Sequence, residues 1–326
     1  MARTGVMEYR RNRSHVPNRS QLLLLIAFII QGYVAYRYGV RSAKNDNHKI
    51  LPPTPVPQKP LSNAAALADT PTIWSPTTTI SAASSSSKFI LGSMNDKPNS
   101  YDLLVISNKL RYAATHNYDI VWDFDKSSSS NSNSEPSYSK DWDRLTTMAK
   151  IIQNKLAGQN SYEWIWWTDY DLIVTNFSIT LDSVVREALE QQQHVDEDVT
   201  RREEIDLIMT PDCFPVNSGS LLVRTSAWSL EWIGEMWRQR LVASEEDGRW
   251  RSLQDCLGDM YKSNTLSLQH KSIFIQQHKM NAFPEEIHCH QDGRAWQKGD
   301  FAIHMAGAWA HVKWADDPTG WLLRKY

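Results

Sequence analysis

The stretch EWIWWTDYDLIVTN, Glu163 to Asn176, constrains the fold more than any other part of the chain. In an extended segment Trp164 and Trp166 point to one side and Ile165 and Trp167 to the other. A strand apolar on both faces is covered on both faces, which places it centrally in a largely parallel sheet with helices above and below. Asp169 and Asp171 follow at its carboxyl end, where ionised carboxylates among apolar groups are costly unless something pairs with them. If the chain stays extended there, residues i and i+2 share a face and both acids can address one ion. Ligands of such sheets bind at the carboxyl ends of the strands, and hard oxygen ligands there suit Mn2+ or Mg2+ carrying a diphosphate.

The D-x-D spacing alone is a weak signal, because it recurs as Asp123/Asp125, Asp141/Asp143 and Asp196/Asp198. The pair at 141/143 opens a helix and the pair at 196/198 sits in a charge run, so both read as solvated. Asp123/Asp125 also follows an apolar strand and competes as the metal pair, although a serine-rich loop comes next.

Around this stretch the chain alternates strands and helices. KFILGS reads as a strand, YDLLVISNKLRYAATH as an amphipathic helix and YDIVWDF as a second strand, a βαβ start near Phe89. A helix from Trp142 to Leu156 precedes EWIWW. Leu181 to Glu204 is a charged helical segment, IDLIMT a strand, PDCFPVNSGSLLV a turn feeding a buried strand, AWSLEWIGEMWRQRLV a helix, and FAIHMAG closes the set as a late strand. With 326 residues, 41% hydrophobic content and 14 Trp, the chain has ample material for a sizeable core. The net charge of -2 and the absence of a basic stripe exclude nucleic acid as the main partner.

The N-terminal region reads differently. Arg3, Arg10, Arg11, Arg13 and Arg19 precede the apolar run LLLLIAFIIQGYVAY. Residues 1–21 read as a cytoplasmic tail and 22–38 as a transmembrane signal anchor that puts the rest of the chain on the lumenal side. The run is shorter than the ~20 residues of a usual span, a length that thin bilayers early in the secretory route tolerate. The competing reading is a cleaved signal peptide, against which bulky Tyr33 stands where a small residue is wanted if cleavage follows Ala35. Residues 39–88, rich in Pro, Ser, Thr and Ala, read as a disordered stem, and residues 127–139 as a Ser-rich loop inserted in the folded domain 89–326.

SNKLRYAATHNYDIVW, YEWIWWTDYDLIVTN, VNSGSLLVRTSAWSLEWIGEMW and KGDFAIHMAG, in that order, resemble glycosyltransferase family 34, the fungal alpha-1,2-galactosyltransferase and alpha-1,6-mannosyltransferase family. The resemblance runs from about Phe89 to the C-terminus. It implies an α/β GT-A-type nucleotide-sugar-binding fold, a Golgi type II membrane topology, a UDP-galactose or GDP-mannose donor, a mannose-containing glycan acceptor, Mn2+, and transfer with retention. Carried over by position, Asp169 and Asp171 are metal and diphosphate residues and His304 is the third protein ligand. Asn217 and Gly219 then lie along the donor and acceptor site, with Gly307 and the following Trp309 beside it, Trp309 as a sugar-stacking candidate. WRSLQDCLGDMY resembles the block in which a Gln, usually preceded by an acid, faces the reacting sugar carbon. Here Leu253 precedes Gln254 and Asp255 follows it, a departure that leaves open the alternative of a non-catalytic subunit or sugar-binding module within a glycosyltransferase complex.

Other residues carry two readings each. Asp212 either orients the acceptor or caps a turn. His304 alone, at the end of an apolar strand, is more often a hydrogen-bonded core residue. IHCH invites a zinc reading through His288 and His290 but lacks further ligands at suitable spacing. The three cysteines, Cys213, Cys256 and Cys289, allow one disulfide with a thiol left over or three free thiols. Asn176 in NFS is a glycosylation sequon close to the acids.

Overall fold

The computed structural model describes residues 77–80, 87–95, 98–124, 142–193, 205–247, 251–291 and 293–326. The anchor 22–38, the tail 1–21, most of the stem, the loop 127–139, and Asp125, Asp141, Asp196 and Asp198 lie outside them. Among the described residues no helix is long and apolar enough to cross a membrane.

The main sheet holds seven strands: β1 (Thr77–Ile80), β2 (Phe89–Asn95), β3 (Asp119–Phe124), β4 (Trp164–Thr168), β6 (Leu207–Thr210), β7 (Asn217–Arg224) and β8 (Ser272–Phe274). Their order is β1-β3-β2-β4-β7-β6-β8. β2 pairs in parallel with both β3 and β4, and β6 pairs in parallel with β8. β7 runs antiparallel to β4 and β6, and β1 antiparallel to β3. Strands β3, β2, β4, β6 and β8 therefore point one way, the largely parallel arrangement expected, with β7 reversed inside it. β1 corrects the reading of 39–88 as uniformly disordered stem. Its β-branched TTTI run has the residues that favour extended chain and adds an edge to β3.

β4 is buried along its whole length, as its two apolar faces require. On one face Ile165 and Trp167 enter a core with Ile90, Leu145, Met148, Trp232 and Leu257. This core is supplied by helices α2 (Asp143–Leu156), α4 (Ala227–Asp247) and α5 (Leu253–Lys262). On the other face Trp166 stacks on Phe301 at 5.1 Å, and Tyr112 of α1 (Asp102–His116) meets both rings. Gly92, the β2 residue opposite Trp167, is required there because a Cβ would come within 2.3 Å of that indole.

FAIHMAG does not join the main sheet. β9 (Ala302–His304) pairs antiparallel with β5 (Leu172–Val174) in a separate two-stranded sheet, with His304 opposite Leu172. Strands of three residues are too short for a period-two pattern to show, which is why β5 and β8 were not legible. The free edge of β5 is closed by a side chain. Asn108 of α1 donates to the Val174 carbonyl and accepts from the Val174 amide, both at 2.8 Å. Helix α3 (Leu181–Gln193) follows, and α6 (Leu268–Lys271), α7 (Ala308–His311) and α8 (Pro318–Lys325) complete the chain.

Candidate active site

After β4 the chain turns instead of staying extended. The Asp169 amide donates to the Gly219 carbonyl at 2.8 Å, continuing the β4–β7 ladder, and the Leu172 amide returns to the Asp169 carbonyl at 3.2 Å. This turn corrects the expected reason for convergence of the two acids: Asp169 and Asp171 meet across a bend, while Tyr170 between them is buried and donates to Asp102. β5 then carries the chain into its pairing with β9. The Met305 amide donates to the Asp171 carbonyl, so His304 is set beside the acids.

His304 Nε2 lies 3.3 Å from Asp171 Oδ1 and 3.7 Å from Asp169 Oδ2. One ligand atom from each of the three lies within 4.8 Å of the others. The imidazole is only 2% exposed, whereas the carboxylates of Asp169 and Asp171 are 32% and 24% exposed, so the cluster opens on the acid side. Gly219 makes the space. A Cβ there would lie 2.3 Å from His304 Cε1 and 2.9 Å from Asp169 Oδ2. Two carboxylates and an imidazole nitrogen in a cradle that a single methyl group would fill fit a divalent cation.

Two buried cations adjoin the acids. Arg144 at the start of α2 approaches Asp169 Oδ1 at 2.9 Å and donates to the Ser218 carbonyl. Lys109 of α1 donates to Ser93 Oγ, Thr168 Oγ1 and the Asp169 carbonyl. Burial pulls the Lys109 ammonium down to about 7, against the opposing pull of Asp171 and Asp169. Burial opposes ionisation of Asp171, but His304 and Lys109 outweigh it and hold its carboxyl below the ordinary range. Burial likewise works against charge on His304, and Asp171 and Asp169 push its pKa up regardless.

Of the other expected residues, Gln254 accepts from the Ser218 amide through Oε1 at 3.1 Å, and is thereby linked through Ser218 to Arg144 and Asp169. Asp255 turns away and closes the α5 N-terminus with Ser252. Asp212 caps its turn, accepting from the Phe214 amide at 2.6 Å, and also from Asn217 Nδ2 at 2.7 Å. Burial raises its pKa above the usual carboxylate value. Asn217 is buried, and its Oδ1 accepts from the Gly219 amide. Gly307 adopts φ +66 and starts α7, on which Trp309 is 77% exposed.

Sequence reasoning missed Lys109, Arg144 and Asn281. Nothing local marks the two cations within ordinary helical patterns. Asn281 is 0% exposed and meets His304 Nδ1 at 2.8 Å. The competing candidates resolve otherwise. Asp123 is buried and accepts from Thr147 Oγ1 at 2.6 Å. His290 binds the Pro284 carbonyl and His288 neighbours His311, and among the described residues neither belongs to a metal-competent cluster. Cys213 and Cys289 form a disulfide, leaving Cys256 as a buried free thiol whose pKa burial pushes up to about 11. Their grouping with Asp212 therefore offers no thiolate for a metal. Asn176 donates to the Gly299 carbonyl at 2.7 Å and accepts from Ser178, tying the end of β5 to the approach of β9.

The model of the galactosyl transferase GMA12/MNN10 family matches residues 83–315. The chain belongs to that family. Similar members include a Saccharomyces cerevisiae protein named "Probable alpha-1,6-mannosyltransferase MNN10", 25% identical over 222 residues, which are 62% of this chain and 54% of that one. Another is the Schizosaccharomyces pombe "Probable alpha-1,2-galactosyltransferase gmh2", 30% identical over 169 residues, 45% of this chain and 46% of that one. The chain spans about half the length of these curated relatives. A solved structure with partial likeness is a glycosyltransferase involved in glycosylation of the major capsid of PBCV-1. It is 15% identical with a TM-score of 0.46, covering 73% of this chain and 99% of its own. The galactosyltransferase LgtC with donor and acceptor sugar analogs gives 15% and 0.40, over 72% of this chain and 93% of its own.

Proposed function

We propose that this GMA12/MNN10-family chain is a retaining, metal-dependent hexosyltransferase with a GT-A-type fold. It moves galactose or mannose from UDP-galactose or GDP-mannose onto a mannose-containing glycan. The observation that carries this reading is the convergence of Asp169, Asp171 and His304 at the end of the central strand. Those three residues would hold Mn2+ or Mg2+, which when bound supplies Lewis-acid charge for the diphosphate leaving group.

Transfer breaks the bond between the anomeric carbon and the diphosphate oxygen and forms one to an acceptor hydroxyl oxygen, whose proton passes to the departing nucleoside diphosphate. The chain's own part is to hold the reacting groups in place and to meet the charge that develops. Arg144 orients Asp169 while keeping the Ser218 carbonyl fixed, and Gln254 fixes the amide of the same Ser218. Gln254 is thereby held at the amino end of β7, next to Gly219, and is the candidate to face the donor sugar when one is bound. Trp309 offers an open aromatic surface for the acceptor.

The full chain in detergent should hydrolyse UDP-galactose or GDP-mannose slowly when Mn2+ is supplied, and stop when the metal is chelated. Leu253, buried at 1% where an acid is usual, favours the second reading, a non-catalytic subunit. Failure to hydrolyse or transfer from either donor would establish that one. The location proposed is the Golgi membrane, type II with a lumenal domain, on the strength of the arginine cluster before Leu22. In sealed Golgi vesicles added protease should cut an N-terminal tag and spare the folded domain; the reverse pattern would invert the topology.

A further inference from the structure

We propose that Asn281 is a positioning residue that dictates which ring nitrogen of His304 is presented to the metal. The proposal rests on the metal reading above and adds to it a chain of hydrogen bonds with a fixed direction.

The direction is set at one end by a backbone amide whose role cannot reverse, with the Asp212 carboxylate in support. The Gly219 backbone amide can only donate, and it donates to Asn217 Oδ1 at 2.8 Å. On its other side Asn217 faces the carboxylate of Asp212, to which Nδ2 donates at 2.7 Å. Flipping the Asn217 amide would set donor against donor at Gly219 and oxygen against oxygen at Asp212, so its orientation is determined. Asn217 Oδ1 is therefore an acceptor. The atom of Asn281 that meets it at 3.0 Å must be the nitrogen. The second proton of that nitrogen goes to Thr210 Oγ1 at 2.9 Å. Both donors of the Asn281 amide are thus used, and its oxygen is left facing His304 Nδ1 at 2.8 Å.

An amide oxygen has no proton to give, so His304 must keep its own on Nδ1. The nitrogen that can surrender a proton and offer a lone pair is Nε2, which is the one that faces Asp171 and Asp169. Without Asn281 the ring could place its proton on either nitrogen or turn over, and part of the population would present N–H to the cation. The backbone makes Asn281 a rigid reference. Its amide donates to the Gln277 carbonyl, and the next residue, Ala282, accepts from the His304 amide at 2.8 Å. The contact is buried, with Asn281 0% exposed and His304 only 2%.

The experiment uses the detergent-solubilised full chain, its Asn281→Ala and Asn281→Asp variants, and the metal alone. Mn2+ affinity is measured by calorimetry, and histidine-selective 15N NMR is recorded with Zn2+ as a diamagnetic probe. In the wild type the His304 proton is expected on Nδ1. Asn281→Ala should weaken Mn2+ binding by roughly 10–100-fold, the usual cost of losing a partner behind a metal-bound histidine. Asn281→Asp keeps an acceptor for Nδ1 and should recover most of that loss although it disrupts the contacts to Asn217 and Thr210. A residue that merely fills space would show the opposite order, because the buried carboxylate would be the more damaging change. A wild-type proton on Nε2 overturns the proposal even if Asn281→Ala does not fold. A folded Asn281→Ala with unchanged Mn2+ affinity overturns it while leaving the metal reading intact. Absence of any Mn2+ or Zn2+ binding by the wild type removes both.

Discussion

The central ladder β2–β4–β7 and the small β5–β9 pair meet at the bend between Asp169 and Leu172, and they differ in how much paired strand holds them. In the ladder every residue of β4 is buried, and whole indoles are sandwiched between helices. Its stability comes from apolar area and close packing. The small sheet is buried too, but with three residues per strand it adds polar clamps at its margins: Asn108 on the β5 edge, Thr175 donating to the Asp300 carbonyl at 2.7 Å, and Asn176 reaching Gly299. Two of the three candidate metal residues, Asp171 and His304, sit where the small sheet begins and ends. The packed ladder thus sets where the site is, while a few hydrogen bonds on the small sheet help decide whether its ligand atoms point together.

The largest effect is expected on the ladder side. Trp167→Ala removes a large side chain buried on the face occupied by Ile165 and Met148, and should cost about 3–5 kcal/mol in urea unfolding. A smaller loss, near 1 kcal/mol, would mean that this face tolerates cavities and is not the main support. From the site side, Asp169→Ala or Asp171→Ala should lower the urea midpoint less than Trp167→Ala does, because β4 stops at Thr168, although each change leaves a buried cation less well compensated. Either change should abolish Mn2+-dependent donor binding, a loss beyond the ~100-fold typical of an outer-shell partner. Asp143→Ala is the control, and unchanged nucleotide-sugar affinity in calorimetry would return both acids to a structural role. His304→Ala should weaken Mn2+ by a smaller factor than either carboxylate change, since both charges remain.

Asn108→Ala sharpens the contrast between the sheets. Losing its two hydrogen bonds to Val174 should cost about 1–3 kcal/mol, felt first as faster hydrogen exchange at the Val174 amide and only weakly in the ladder amides. Equal acceleration in both sheets would show that they unfold as one unit. The smallest effect expected is on acid stability. Burial works against the Asp300 carboxylate, but the paired Arg294 guanidinium holds its pKa below the ordinary value. A depressed folded pKa contributes stability that is present above pH ~4 and lost as the pH falls through the folded value. Asp300→Asn should therefore lower stability slightly at pH 7 and converge with the wild type as the pH falls below about 4, so that the acid limb of the stability-pH curve is flatter.

By itself the sequence determined the strand-and-helix order from Phe89, the central place of Trp164–Thr168 and the strand-end position of Asp169 and Asp171. These are short-range matters: alternation of side chains, apolar periodicity and the cost of carboxylates beside tryptophan leave their mark within a few residues. His304 was legible as chemistry through the order of the blocks around it, but its strand partner Leu172–Val174 was not, because three residues carry no period. Only the tertiary structure brought Lys109 to an Asp169 carbonyl 60 residues away, Asn281 to a histidine 23 residues on, and Cys213 to Cys289 across 76. A buried cation or amide is specified by the partners that compensate its desolvation, and those partners lie on other elements that only folding brings within hydrogen-bond reach.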